Sequence, residues 1–401
     1  DARLQQIRKL YPFESRFFTI GGQRMHYIDT GQGEAVVMLH GNNTSKDKVV
    51  SLGGGRHMEK WARRYLNGRL IAPVILAEPI LTLRVTSRLR PALWLLFDGT
   101  DSNYTNGVKY SLISPDLSPH AKQGLMPRKV LDLIHKIPYL RDSGPEYSHR
   151  AEFSFGQNMY TPSDTDRTDL VSDDRPYAGW SYVGLAYHRR TEFVQHLDFL
   201  DSVELQLGIV GPQAYAKETQ DLVHDLRGID RAEGWDNQLK NEPGLVVAFE
   251  RKWLFYPDVT GALAADAIVH AGGAVGNVAT YLNSGLEIRY GLNLPRSFGV
   301  SLIRPAGSTL FRPARKPSLY LFGAVDGRFV MRDIFLDGNT FADSHSVDKK
   351  YRVADLAAGV TLSYGNLMLT YTHVTRTKEF DGQDDMHNFG SMTLSFFYPL
   401  W

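Results

Sequence analysis

The sequence predicts an all-β fold, an antiparallel transmembrane β-barrel, on three observations. From about residue 104 onward apolar and polar residues alternate with a period of two, the repeat of a strand with one apolar face. No run approaches the roughly 18 apolar residues of a transmembrane helix. The mean hydropathy of -0.28 fits a barrel as well as a soluble chain, because lumen-facing and lipid-facing residues alternate. The third observation is the last strand, where Met392, Leu394, Phe396, Tyr398 and Leu400 alternate up to Trp401, as in a closing barrel strand with its aromatic girdle. Trp401 is one residue out of phase and Pro399 removes a backbone donor. A soluble β-sandwich alternates in the same way and is the competing fold.

The elements follow in order. Ala151, Phe153 and Phe155 alternate with Glu152, Ser154 and Gly156. Val203, Leu205, Leu207 and Ile209 share one face, with Ser202, Glu204, Gln206 and Gly208 on the other. Leu245, Val247 and Phe249 oppose Val246, Ala248 and Glu250, and further runs occupy 319–331, 360–372 and 391–400. Asp337-Gly338-Asn339 and Tyr364-Gly365-Asn366 read as turns. One segment, 214–243, breaks the strand pattern with an amphipathic helix. Gln220 and His224 stand four apart on one helix face, and Gly228 sits where such a helix stops.

Composition narrows the function. Lysine and arginine number 45 against 44 aspartates and glutamates, a formal net charge of +1, so no basic field draws nucleic acid. The absence of cysteine excludes thiolate metal sites, a cysteine nucleophile and disulfides, and is compatible with the periplasm and outer membrane. The length of 401 residues suits one large barrel or two to three ordinary domains.

Several blocks resemble the lipid A 3′-O-deacylase family of Gram-negative outer membranes. They are Asn103-Tyr104-Thr105-Asn106-Gly107, Asn158-Met159-Tyr160-Thr161-Pro162, Asp174-Arg175-Pro176-Tyr177-Ala178-Gly179-Trp180, Leu207-Gly208-Ile209-Val210-Gly211-Pro212, the helix with Gln220 and His224, and Gly234-Trp235-Asp236-Asn237-Gln238-Leu239. They run in family order through residues 93–401. The resemblance implies an outer-membrane barrel of about 12 strands, which leaves about 25 residues for each strand and its connection. It also implies a short helix in an extracellular-side loop, with the active site between that helix and the wall. The implied activity is calcium-dependent removal of the 3′-linked acyloxyacyl group, with lipid A or lipopolysaccharide and outer-membrane lipids as partners.

Ester hydrolysis needs an activated water and a group that holds the developing oxyanion. A neutral histidine, with a pKa of about 6.5, is a natural base. By resemblance His224 is the catalytic base, Gln220 a polar residue lining the site and Thr105 the site threonine, while Asn103, Asn106 and Gly107 serve the turn. Asp230 stands where the family carries a glutamate, one methylene shorter. Without the resemblance, His224 reads as a solvated histidine on a loop helix, and Thr105 equally well as a strand-start threonine. One departure concerns the metal. Where the family's first strand carries an Asn-Asp pair, this chain places Trp94-Leu95, and neither gives an oxygen ligand, whereas Ca2+ takes about six to eight. Asp98 and Asp101 are the nearest candidate ligands, in a turn whose Asp, Gly, Ser and Asn need no metal to explain them.

The beginning of the chain differs. Tyr11-Pro12-Phe13-Glu14-Ser15-Arg16-Phe17-Phe18, Gly22-Gln23-Arg24-Met25-His26-Tyr27 and Val36-Val37-Met38-Leu39-His40-Gly41-Asn42 resemble the first strands of α/β-hydrolases of the haloalkane dehalogenase and epoxide hydrolase branch. No G-x-S-x-G elbow follows, and such strands alone cannot bury both faces. Residues 43–92 read as an irregular basic linker containing Gly53-Gly54-Gly55, without the pattern of a phosphate loop. The expected organisation is a truncated hydrolase-like fragment at 1–42, this linker, and the barrel from 93, a fusion or frameshift product whose barrel has lost its own start. Two other functions compete, a catalytically silent outer-membrane barrel and, on residues 11–42 alone, a soluble α/β-hydrolase.

Overall fold

The computed structural model describes residues 16–20, 23–30, 35–40, 49–54, 80–87, 103–114, 116–117, 136, 147–191, 197–228, 230–257, 261–300, 304–308 and 314–397. They fall in two units, Asp1–Val74 with His224–Ile229, and Ile75–Val223 with Asp230–Trp401. The first holds β1 (Arg16–Ile20), β2 (Gln23–Thr30), β3 (Ala35–His40) and β4 (Val49–Gly54) in the sheet order β1-β2-β4-β3. The first three coincide with the hydrolase-like strands expected from sequence. β4 corrects the irregular linker: Val49 and Val50 are β-branched residues that favour the pleated state, and their strand pairs parallel with β2 and antiparallel with β3.

The second unit is a closed barrel of twelve strands among the described residues. These are β5 (Ile80–Ser87), β6 (Asn103–Ile113), β7 (Tyr147–Thr161), β8 (Ala178–Thr191), β9 (Leu197–Val210), β10 (Glu242–Phe255), β11 (Leu263–Gly276), β12 (Ala279–Leu292), β13 (Ala314–Asp333), β14 (Arg352–Gly365), β15 (Leu367–Arg376) and β16 (His387–Phe397). Each pairs antiparallel with its sequence neighbours, and β16 closes the ring on β5. Strands β8 to β12 have 14 residues each, about 46 Å of chain at roughly 3.3 Å per residue. Tilted by about 45°, such strands rise roughly 30 Å, the thickness of a bilayer's hydrocarbon core.

The start of the barrel corrects a second expectation. Its first strand is β5, inside the stretch read as linker, and Leu81, Leu83 and Val85 are register partners of Phe396, Leu394 and Met392 on β16. The alternation of these three with Thr82, Arg84 and Thr86 is a strand signal set among arginines. Trp94 and Leu95 lie outside the described residues, as do Tyr398 to Trp401.

Burial runs inside out, which eliminates the soluble sandwich. On β10, Leu245, Val247 and Phe249 are exposed while Glu250 is buried, and on β9 Leu207 is exposed while Ser202, Glu204 and Gln206 are buried. Phe153, Phe155, Val183, Leu185, Ile288 and Leu321 continue the exposed apolar surface round the wall. A contiguous surface of this kind would aggregate in water and is solvated by lipid chains.

The lumen is filled by charge-assisted contacts. Lys109 Nζ lies 3.4 Å from Glu152 and 3.2 Å from Glu204, and His188 Nε2 lies 3.0 Å from Glu152. Residues 304–308, between β12 and β13, cross to the opposite strands. Ala306 N donates to Glu204 at 2.7 Å, Ser308 Oγ to Glu152 at 2.8 Å, and Arg304 pairs with Glu250. A buried carboxylate needs such partners to remain charged.

The connections β5–β6, β7–β8, β9–β10, β11–β12, β13–β14 and β15–β16 share one rim. It carries α1 (Ala216–Arg227) after β9 and α2 (Ile334–Asp337) after β13 and is called the helix rim below. Arg175, between β7 and β8, donates to Glu379 at 2.9 Å and stacks over Tyr160 and Phe380, each 5.6 Å away. Burial opposes ionisation of Glu379, but Arg175 and Arg376 outweigh it and pull the carboxyl from 4.5 down to about 2. A lowered folded pKa contributes stability that is complete above the unfolded value and is lost as pH falls through the folded one. The window is therefore pH 4.5 down to about 2. Glu379→Gln should destabilise the protein at neutral pH and flatten its acid dependence across that window, read from thermal unfolding in detergent. An unchanged acid profile would refute the role given to this pair.

Candidate active site

The connection between β9 and β10 builds α1 by local rules. Gly211 has φ 98, a 3-10 turn covers Pro212–Ala214, and Tyr215 has φ 55, which redirect the chain off the strand. Glu218 lies in the first turn, where a carboxylate favours the helix dipole. Gly228, at φ 66, ends the helix in the left-handed conformation expected of it. The buried stripe is Ala216, Gln220 and His224, while Leu222 is 59 % exposed. Among its described side chains, the helix thus hides an amide and an imidazole and presents Leu222 outward.

The helix begins against the outer wall of the barrel. A Cβ at Gly179 would come within 2.6 Å of the Ala216 Cβ and 3.0 Å of the Ala214 Cβ. Only glycine admits this approach. Ser181 Oγ and Gln157 Nε2 each donate to the Ala214 carbonyl at 2.7 Å. Met159, Tyr177, Ala216, Ala232 and Trp235 form one buried cluster. On the same outward faces of β7 and β8, Phe155, Phe153, Val183 and Leu185 follow as exposed side chains. The seat of α1 therefore borders the lipid-facing surface.

Gln220 is held by a partner the sequence did not reveal. Trp235 Nε1, fully buried, donates to Gln220 Oε1 at 2.6 Å. That bond fixes the flip of the amide and makes Nε2 its donor end. Trp235 is placed in turn by Gly234, whose added Cβ would meet the Tyr177 ring at 2.5 Å, and by the Tyr177 ring at 5.0 Å. Tyr177, Gly179 and Trp235 all lie in the quoted blocks. Their signal was the block itself rather than any chemistry of their own.

Of the other expected site residues, Thr105 falls at a β-bulge on β6, between pairings of Tyr104 with Tyr160 and of Asn106 with Met159. Bulges re-aim a strand and concentrate near active sites, and Met159 belongs to the cluster at the base of α1. Asp230 follows Gly228, outside the helix, and is exposed. Asp98 and Asp101 lie outside the described residues. Among the described residues no three acidic or histidine side chains gather as a metal site.

The model of the outer membrane protein LpxR family matches residues 94–398. This chain belongs to that family. LpxR from Salmonella typhimurium, a solved structure, superposes with a TM-score of 0.60 at 18 % identity, covering 80 % of this chain and all of that one. The LpxR-family barrel accounts for the inside-out wall, and the protein is placed in the outer membrane. A stretch of 48 residues is 50 % identical to haloalkane dehalogenase 2 of Mycobacterium bovis, over 11 % of this chain and 17 % of that protein. A further 33-residue match, 54 % identical, is to the cis-3-alkyl-4-alkyloxetan-2-one decarboxylase of Shewanella oneidensis, over 8 % of this chain and 10 % of that protein. The chain spans less than a fifth of the length of these curated relatives.

Proposed function

We propose that this LpxR-family barrel hydrolyses the 3′-linked acyloxyacyl ester of lipid A, with calcium, at the outer-leaflet end of its wall. The observation that carries this reading is the seat of α1: a helix with a buried Gln220 and His224 stripe starts on the outer face of β7 and β8, bordering exposed Phe155 and Val183. An ester at the top of a lipid's acyl chains lies at that height. The chain enters β5 and leaves β16 at the opposite rim, so the helix rim, with its helix-bearing loops, is the extracellular one.

In this mechanism His224 takes a proton from water as the water oxygen attacks the ester carbonyl carbon. The bond from that carbon to the sugar 3′ oxygen then breaks, and the histidinium returns its proton to the departing oxygen. The products are a sugar hydroxyl and an acyloxyacyl acid. The Nε2 of Gln220, oriented through Trp235, donates to the developing oxyanion, as a pre-set dipole should. Thr105 at the bulge and Asp230 beyond Gly228 are the remaining polar groups of the proposed site. Asp98 and Asp101 would be the donors to a bound calcium ion, which would supply Lewis-acid polarisation of the ester. EDTA should stop release of acyloxyacyl acid by the detergent-solubilised protein, and added calcium should restore it. Turnover indifferent to EDTA would remove calcium from the reaction.

A further inference from the structure

Half-way round the ring from α1, the outer wall carries a trench of about 780 Å³ near the helix rim. Its floor is a row of small residues in register, Ser284 on β12 opposite Gly327 on β13, and Gly327 opposite Ala354 on β14. A Cβ at Gly327 would meet only the Ser284 carbonyl oxygen, at 3.8 Å, so the space above this row is unfilled. The next outward row toward the rim holds exposed Leu282 and Phe329. Leu286, Val325 and Leu356, exposed on the row below, continue the lipid-facing wall.

The lining is positively charged at the rim. Lys350, Arg352 and Lys378 line the trench with Arg328, which is paired with Asp355, and no aspartate or glutamate lines it among the described residues. Lys350 pairs with Asp381. Arg352 and Lys378 are exposed and have no ion pair among the described residues. Cations above an apolar trench, on a wall that faces lipid, match a molecule with phosphate in the headgroup layer and acyl chains below it. Three cations above a trench crossing three strands favour a broad, multiply phosphorylated and multiply acylated glycolipid over a single-phosphate, two-chain lipid.

We propose that this trench is a second, non-catalytic binding site for a phosphorylated, multiply acylated glycolipid of the outer leaflet. The central strand of the site, β13, is five strands from β8 and six from β7 in a ring of twelve, so one lipid does not serve both. It rests on residence in the outer membrane and not on the deacylase reading.

Native mass spectrometry of the full chain in detergent tests it, with diphosphoryl hexa-acyl lipid A as the probe. The host is His224→Ala, so that turnover does not consume the probe. Two bound molecules are expected. Arg352→Gln with Lys378→Gln should weaken one of them by about tenfold or more, as the loss of two charge-assisted contacts requires. Gly327→Leu, which fills the trench without touching a cation, should remove the same molecule. Phosphatidylglycerol should compete weakly. Bound lipid A untouched by either variant, whether one molecule or two, or equal affinity for phosphatidylglycerol would each overturn the proposal. Two bound lipids in a protein without deacylase activity would leave it standing while removing the catalytic reading.

Discussion

His224→Ala is expected to lower the rate of lipid A deacylation by about 10²- to 10⁴-fold, the usual contribution of a positioned general base. The barrel should be unaffected, because its twelve-strand closure runs through β5 to β16 without α1. Rates measured at saturating lipid A, alongside unfolding in detergent, separate the two effects. Loss of activity with an unchanged unfolding midpoint places the histidine in the chemistry. A variant that keeps wild-type turnover removes His224 from its proposed role, whatever its burial.

The largest stability effect is expected at the lumen. Asp266 accepts from Arg289 Nε at 2.7 Å and Nη2 at 2.6 Å, and Arg289 is fully buried. Asp266→Ala leaves that guanidinium hydrogen-bonded to the Ser297 hydroxyl at 2.8 Å and the Pro295 carbonyl at 3.2 Å, both neutral, over the Tyr320 ring at 5.4 Å and without its paired carboxylate. Breaking a buried pair from one side costs about 3–5 kcal/mol. The double change Asp266→Leu with Arg289→Met should recover most of it, since an apolar pair of similar volume is often neutral. Denaturant unfolding in detergent reads both variants. Equal stability of Asp266→Ala and wild type would show that the lumen tolerates an unpaired cation.

What was legible in the sequence follows from how local each signal is. The period of two in 202–209 and 245–250 became β9 and β10, because alternation depends only on which face meets lipid. The turn at Gly365 is likewise local, with φ 55 between β14 and β15. The run over 360–372 concealed that hairpin, since apolar residues continue on both sides of the turn. β5 was missed because its three-residue alternation sits beside arginines and gains its meaning from β16, more than 300 positions later. The same holds for the lumen segment: Ala306 and Ser308 reach Glu204 and Glu152 across 102 and 156 positions, and nothing nearby in sequence marks them. At the site, the spacing of Gln220 and His224 and the stop at Gly228 could be read directly. The Trp235 clamp on Gln220 could not, because it joins two short elements through tertiary packing.

The helix on the outer wall is proposed to make this barrel a lipid A 3′-O-deacylase. Mass spectrometry of lipid A from Gram-negative cells expressing the chain tests it most directly. The expected result is a new species lighter by the 3′ acyloxyacyl group, absent from cells expressing His224→Ala. A lipid A spectrum identical to that of cells without the protein, or the same loss with His224→Ala, would contradict it.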